Sequence, residues 1–145
     1  MLEEKVIVLA EPSWSKGHFE TQMYLFLSIL LTKNCRVIVL CPEPDKITEW
    51  VVDNMPECQV HIISRHFSAK SVDGRSGKRP LMIWRHLSKA VEMAEKDSGW
   101  KVDLVFITFL DTLLFLGLCT LGFRTKIDYD WAGLYFLPKY FRIEA

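Results

Sequence analysis

The chain has 145 residues, 50% of them hydrophobic, which suits a single domain over 1–145 with a core of its own. Its 18 basic and 18 acidic side chains cancel, so no global field steers it toward nucleic acid, and any electrostatic site must be local. The four cysteines, Cys35, Cys41, Cys58 and Cys119, form neither a CxxC pair nor a disulfide framework, which predicts reduced thiols. The acidic start, Met1 to Glu4, followed by an apolar run only from Val6 to Ala10, does not read as a secretory signal, so a cytoplasmic setting is expected.

Short apolar runs alternate with longer amphipathic ones along the chain, the order expected when parallel strands are joined by crossover helices. Lys5 to Ala10 is rich in β-branched residues and lacks polar alternation, which suits a central strand covered on both faces. Phe19, Met23, Phe26, Leu27, Leu30 and Leu31 share one helical face, predicting a helix to Lys33 that Asn34 stops in the left-handed conformation. Arg36 to Cys41 repeats the buried-strand character, and Pro42 and Pro44 end it. A short helix carrying Ile47, Trp50 and Val51 follows, with Asp45 or Thr48 as its cap and Pro56 limiting its end.

Gln59 to Ile63 reads as a third strand, and the polar, glycine-containing stretch from Ser64 to Pro80 as a loop. Leu81 to Lys96 restores helical spacing through Trp84, Leu87, Val91 and Ala94, and Gly99 stops it. Asp103 to Thr108 is the fourth strand, and Leu110 to Leu121 a further apolar helix. The whole run Val105 to Phe123 approaches bilayer-spanning length, but Asp111 and two glycines within it favour a buried strand and helix. The tail from Lys126 to Ala145 is aromatic, with Tyr129, Trp131, Tyr135, Phe136, Tyr140 and Phe141 close together, and disorder is not expected there. The expected architecture is a Rossmann-like three-layer α/β/α fold with a mainly parallel sheet.

In such a sheet ligands bind beyond the carboxyl ends of the strands, so the connections after Ala10, Cys41, Ile63 and Thr108 form the candidate rim. Glu11 to Glu20 joins the first strand to the first helix and sets Lys16, Gly17 and His18 at a helix start, where free N–H groups attract anions such as phosphate. Two readings stand side by side: an anion or sugar-hydroxyl site, or a turn made by Gly17 with His18 merely shielding the helix end. GxGxxG is absent, and Gly74 to Lys78 lacks the spacing of a phosphate-binding Walker loop. His61, His66 and His86 lack ligand-like spacing with a carboxylate or cysteine, so no metal is expected. Arg65, Lys70, Arg75, Lys78, Arg79, Arg85 and Lys89, opposed only by Asp73, form a basic stretch that suits either a solvated loop or an anionic membrane surface.

The strand followed by Ser15-Lys-Gly-His-Phe-Glu-Thr21, the long apolar helix, and Arg36-Val-Ile-Val-Leu-Cys-Pro42 together resemble the opening of GT-B glycosyltransferases of the family-4 type. Asp103-Leu-Val-Phe-Ile-Thr-Phe-Leu-Asp111 and Trp131-Ala-Gly-Leu-Tyr-Phe-Leu-Pro138 are similar to later parts of the same acceptor-side domain, so the likeness spans nearly the whole chain. The resemblance implies a metal-independent transfer of sugar from a nucleotide-sugar co-substrate to an acceptor. It sets Lys16, Gly17 and His18 near the donor phosphates, and Asp111, with His18, in the catalytic cleft. Lys16 stands where relatives often carry another glycine. The nucleotide-binding domain of the family has no counterpart after Ala145, so activity is expected to need a second domain or subunit, and a homodimer could cover the apolar surface expected of Leu110 to Leu121 and Trp131 to Phe141. Two other readings remain open: a non-catalytic remnant or regulatory binding module, and a small nucleotide-binding protein complete in itself.

Overall fold

A computed structural model of the chain describes residues 4–11, 18–68, 79–108 and 129–133, with the backbone alone at 18, 19 and 79–84. Five strands form one parallel sheet: β1 (Val6–Ala10), β2 (Arg36–Cys41), β3 (Ile62–His66), β4 (Leu104–Ile107) and β5 (Trp131–Gly133), in the order β3-β2-β1-β4-β5. Three helices are described, α1 (His18–Thr32), α2 (Pro44–Asn54) and α3 (Arg79–Ser98). The fold is Rossmann-like α/β, as the alternation of apolar runs predicts.

Strand β1 lies at the centre because it is the one run that can tolerate cover everywhere: all five of its residues are buried. Side chains alternate between the two faces of a strand. Val6, Val8 and Ala10 therefore join Ile38, Leu40, Val105 and Ile107 under Leu87, Val91 and Ala94 of α3. On the opposite face Leu9 joins Val37, Val39 and Cys41 under Met23, Leu27 and Leu31 of α1 and Ile47 and Val51 of α2. Right-handed crossovers account for this division. The chain moves outward from β1 to β3 with α1 and α2 on one face, then returns across the sheet to β4 with α3 on the other.

Helix ends follow local chemistry. Asn34 has φ 60°, and the Cys35 and Asn34 N–H groups donate to the Leu30 and Leu31 carbonyls at 3.1 Å, a Schellman stop for α1. Gly99, at φ 71°, donates to the Glu95 carbonyl at 2.8 Å and closes α3 in the same left-handed region.

Several element boundaries differ from those the sequence suggests. Asp45 and Thr48 do not cap α2; both lie inside it, and Pro44 occupies the first turn with Glu43 as the flanking residue. Proline suits that position because its missing N–H has no helical partner to lose. The third strand is displaced toward the C-terminus: Pro56–His61 winds into a 3-10 helix, and pairing with β2 begins only at Ile62. β3 therefore runs to His66 into what reads as loop, and α3 begins at Arg79, two residues before Leu81. Trp131–Gly133 is a fifth strand that three residues of sequence did not announce; it forms by pairing with Val105, Phe106 and Ile107. The apolar helix expected over 110–121 lies outside the described residues, while Val105 to Ile107 belong to β4. Among the described residues no helix is long and apolar enough to cross a membrane.

The amino edge of the sheet is tied by polar contacts. Asp103 accepts the Val6 N–H at 2.9 Å through Oδ2, and its own N–H donates to the Val6 carbonyl at 2.9 Å. Arg36 Nε lies 2.7 Å from Glu4 Oε2, off the direction its N–H points, so the contact is an ion pair and not a hydrogen bond. The same guanidinium sits 5.3 Å over the Trp100 ring. Glu95 joins three segments: its Oε1 accepts the Val102 N–H at 2.8 Å and its Oε2 accepts the Tyr129 hydroxyl at 2.6 Å. Replacing it by alanine removes the acceptor of both hydrogen bonds where β4 and β5 begin. Glu95→Ala is expected to lower unfolding stability by about 1–3 kcal/mol, read as a lower denaturant midpoint, with Glu95→Gln losing less because its amide oxygen still accepts.

Candidate functional site at the carboxyl edge

Strand order and chain order together define one special place on the carboxyl edge. The connection leaving β1 turns toward β2, whereas β4, on the other side of β1, leads to β5. Connections that part in opposite directions leave a crevice between the two strand ends, where open α/β sheets bind ligands.

Glu11 and Thr108 occupy that place. Their backbones extend the ladder past the strands, with the Glu11 N–H donating to the Leu40 carbonyl at 2.9 Å and the Thr108 N–H to the Ala10 carbonyl at 3.2 Å. Glu11 stands two positions beyond Leu9, and Thr108 two beyond Phe106, so alternation points both side chains to the α1 face. The Thr108 hydroxyl donates to Glu11 Oε2 at 2.5 Å, the short end of the O–H···O range. The Ala10 carbonyl, at 3.4 Å from the same hydroxyl, is the weaker acceptor. Both residues are nearly inaccessible, Glu11 at 1% and Thr108 at 2%. A carboxyl buried so deeply needs hydrogen-bond partners to offset its lost hydration.

Cys41 ends β2 on the same face, and the register sets His66 beside it on β3, so one row crosses four strands: His66, Cys41, Glu11, Thr108. Cys41 is fully buried, and that burial, helped by the Glu43 and Glu11 carboxyls, pushes its thiol up to about 11 against a weaker opposing hydrogen bond from the Glu43 backbone. The thiol is therefore protonated at neutral pH. Cys35 and Cys58 are also free, with thiols raised chiefly by burial. Among the described residues no three His, Cys, Asp or Glu side chains gather as a metal site.

Above the row, Tyr24 of α1 stacks on Trp50 of α2 with ring centroids 4.9 Å apart and planes 5° from parallel. Its hydroxyl donates to Glu20 Oε1 at 3.1 Å. Partial burial, then the Glu20 hydrogen bond and charge, then Cys41 and Glu43, raise the Tyr24 phenol to about 12. Lys46 lies 3.1 Å from Glu43 Oε2, and that contact raises its ammonium pKa.

Of the residues singled out by sequence, His18 is the first residue of α1, so its backbone belongs to the helix start facing this edge. Its side chain, and Lys16, Gly17 and Asp111, lie outside the described residues. His61 falls in the 3-10 helix, His66 on the exposed end of β3 and His86 on exposed α3. The basic stretch is divided: Arg65 projects from β3, Arg85 and Lys89 from α3, and 70, 75 and 78 lie outside the described residues. Sequence reasoning named the rim but passed over Glu11 and Thr108. The available signal was positional, since each is the first polar residue after a buried run.

No family model, curated protein or solved structure matches this chain. The resemblance to sugar transferases accordingly stands on the sequence motifs that carry it.

Thr108→Val keeps shape and removes one donor to the buried carboxyl. It is expected to cost about 1–2 kcal/mol in chemical unfolding, and an unchanged midpoint would show the pair contributes nothing. Tyr24 gives a pH signature. Because its folded-state pKa of about 12 exceeds the ordinary 10.0, its contribution to stability is intact below pH 10 and lost as pH rises toward 12. Ultraviolet titration of tyrosinate should show a late step near that upper value, absent from Tyr24→Phe.

Proposed function

We propose that this chain is the acceptor-side domain of a glycosyltransferase of the GT-B type, its carboxyl sheet edge forming one wall of a cleft completed by a nucleotide-binding domain in cis or in trans. The observation that carries the reading is the strand order, which sets β1 and β4 side by side where their onward connections part, the place where this kind of sheet holds ligands. The motifs flanking it, Ser15 to Thr21 and Asp103 to Asp111, are those that resemble the family. In this reading Lys16, Gly17 and His18 face donor phosphates at the start of α1, a nucleotide sugar is the co-substrate, and Asp111 helps position the acceptor or the reacting sugar. Glu11, held by Thr108, shapes the floor between them.

Sugar transfer in this arrangement needs no metal from this domain. The peptide N–H groups at a helix start and a nearby imidazole can offset phosphate charge as the leaving nucleotide departs. The acceptor hydroxyl is held by the opposite lip.

Calorimetry with a panel of nucleotide sugars tests the reading. The chain alone should show no tight binding, and binding with turnover should appear when a family-4-type nucleotide-binding domain is supplied; His18→Ala should then reduce turnover by about 10- to 100-fold. Tight nucleotide binding by the isolated chain would instead favour a self-contained nucleotide-binding protein. Failure to gain turnover with any second domain would favour a non-catalytic module.

A further inference from the structure

Two buried side-chain atoms among the described residues lack a hydrogen bond, Arg36 Nε and Gln22 Oε1. Arg36 has the Glu4 carboxylate at 2.7 Å to answer its charge, whereas no described residue answers the Gln22 oxygen. An amide oxygen taken from water without a donor in exchange is destabilising, so its place in the fold matters. Helix α1 joins two parallel strands and runs back against them, which sets its start over their carboxyl ends. Phe26 meets Phe106 of β4 edge-on at 5.3 Å, and Gln22 lies one turn earlier on the same side of the helix. Four residues back along α1 are about 6 Å toward the carboxyl edge. The two residues from Phe106 to Thr108 cover about 6.7 Å in the same direction. Gln22 therefore stands level with Thr108, and its Cα–Cβ bond tilts toward the helix start.

Glu11 and Thr108 from the sheet and Gln22 from the helix thus gather where the β1 and β4 connections part. The chemistry of the group is one-sided. The single hydroxyl proton of Thr108 is donated to Glu11 Oε2, so it does not serve Gln22. What the place lacks is a donor, an O–H or N–H group brought from outside the chain. Phosphate at neutral pH brings acceptor oxygens and negative charge, and would set that charge beside the Glu11 carboxyl. A neutral sugar hydroxyl brings the missing proton. Gln22 as a whole is only partly buried, and the soft rotation about its last side-chain bond turns Oε1 toward a ligand at the rim. Phosphate is matched to the N–H groups of the helix start, and a hydroxyl to the group one turn inside it.

We propose that Gln22 binds a sugar hydroxyl at this edge, its amide oxygen accepting the hydroxyl proton beside the Glu11–Thr108 pair. The inference rests on the sugar-transferase reading for the class of ligand, and adds to it a binding residue one position beyond the Ser15 to Thr21 motif.

Nuclear magnetic resonance titration of the isotope-labelled full chain with a panel of neutral methyl glycosides tests it. The reading is taken at the side-chain amide of Gln22, with Gln59, the other glutamine, as the internal control. A saturable shift at Gln22 and none at Gln59 is expected, and inorganic phosphate should leave the Gln22 amide where it is. Gln22→Met keeps the length without the amide. It should weaken glycoside affinity by about five- to tenfold, read at the Thr108 backbone amide and with the fold checked by circular dichroism. If that variant does not fold, the shifts in the unaltered chain still decide. No saturable shift with any glycoside, an equal response to phosphate, or undiminished affinity in Gln22→Met would each overturn the proposal. An oxygen satisfied only by water predicts the first of these. Glycoside binding at Gln22 without turnover on any second domain would keep this site and remove the transferase reading, whereas turnover indifferent to Gln22→Met would do the reverse.

Discussion

The double pairing of β1 is the constraint on which the other elements depend. Its register with β2, Val6 to Arg36 through Ala10 to Leu40, and with β4, Ile7 to Leu104 through Ala10 to Ile107, consumes the hydrogen-bonding capacity of both its edges. A strand with no free edge and no exposed residue can be covered only by apolar helices on both faces, and α1, α2 and α3 supply that cover. The ladder is fed by non-local contacts, since β1 and β4 lie nearly one hundred residues apart, as the Val6–Asp103 separation of 97 shows. Such pairing is slow to form but leaves little freedom once the core closes.

The same pairing makes the two ends of the sheet unlike. At the amino edge, Asp103, Glu95, Arg36 and Glu4 tie loop backbones and side chains to one another, and each contact serves the chain itself. At the carboxyl edge the backbone ladder ends on a carboxyl and a hydroxyl turned toward each other beneath α1. A buried Glu11 at the parting of two connections costs desolvation that a leucine would not. That residue stands at the position where α/β sheets receive ligands.

The α1 helix links these two themes. Its inner face, Met23, Leu27 and Leu31, seals β1 and β2; Phe26 reaches Phe106 of β4 edge-on at 5.3 Å; and Tyr24 reaches Trp50 of α2. Contacts on three sides thus fix this helix against β1, β2, β4 and α2 at once.

Sequence alone determined the parts of this protein governed by local chemistry. Continuous β-branched runs gave β1, β2 and β4, helical spacing gave α1 and α3, and residues able to take positive φ gave the stops at Asn34 and Gly99. It also pointed to parallel strands, because connection lengths imply them, and the described strands pair in parallel. Tertiary structure decided what depends on a neighbour. Gln59 and Val60 are polar-apolar neighbours that read as strand, yet pairing with β2 starts at Ile62 because the proline-initiated turn at Pro56 uses up the intervening residues. Trp131–Gly133 is too short to declare itself and exists as a strand only beside β4. Glu11 and Thr108 are 97 residues apart in the chain, and nothing in either local segment encodes their meeting; only the parallel register of β1 and β4 brings a carboxyl and a hydroxyl to 2.5 Å.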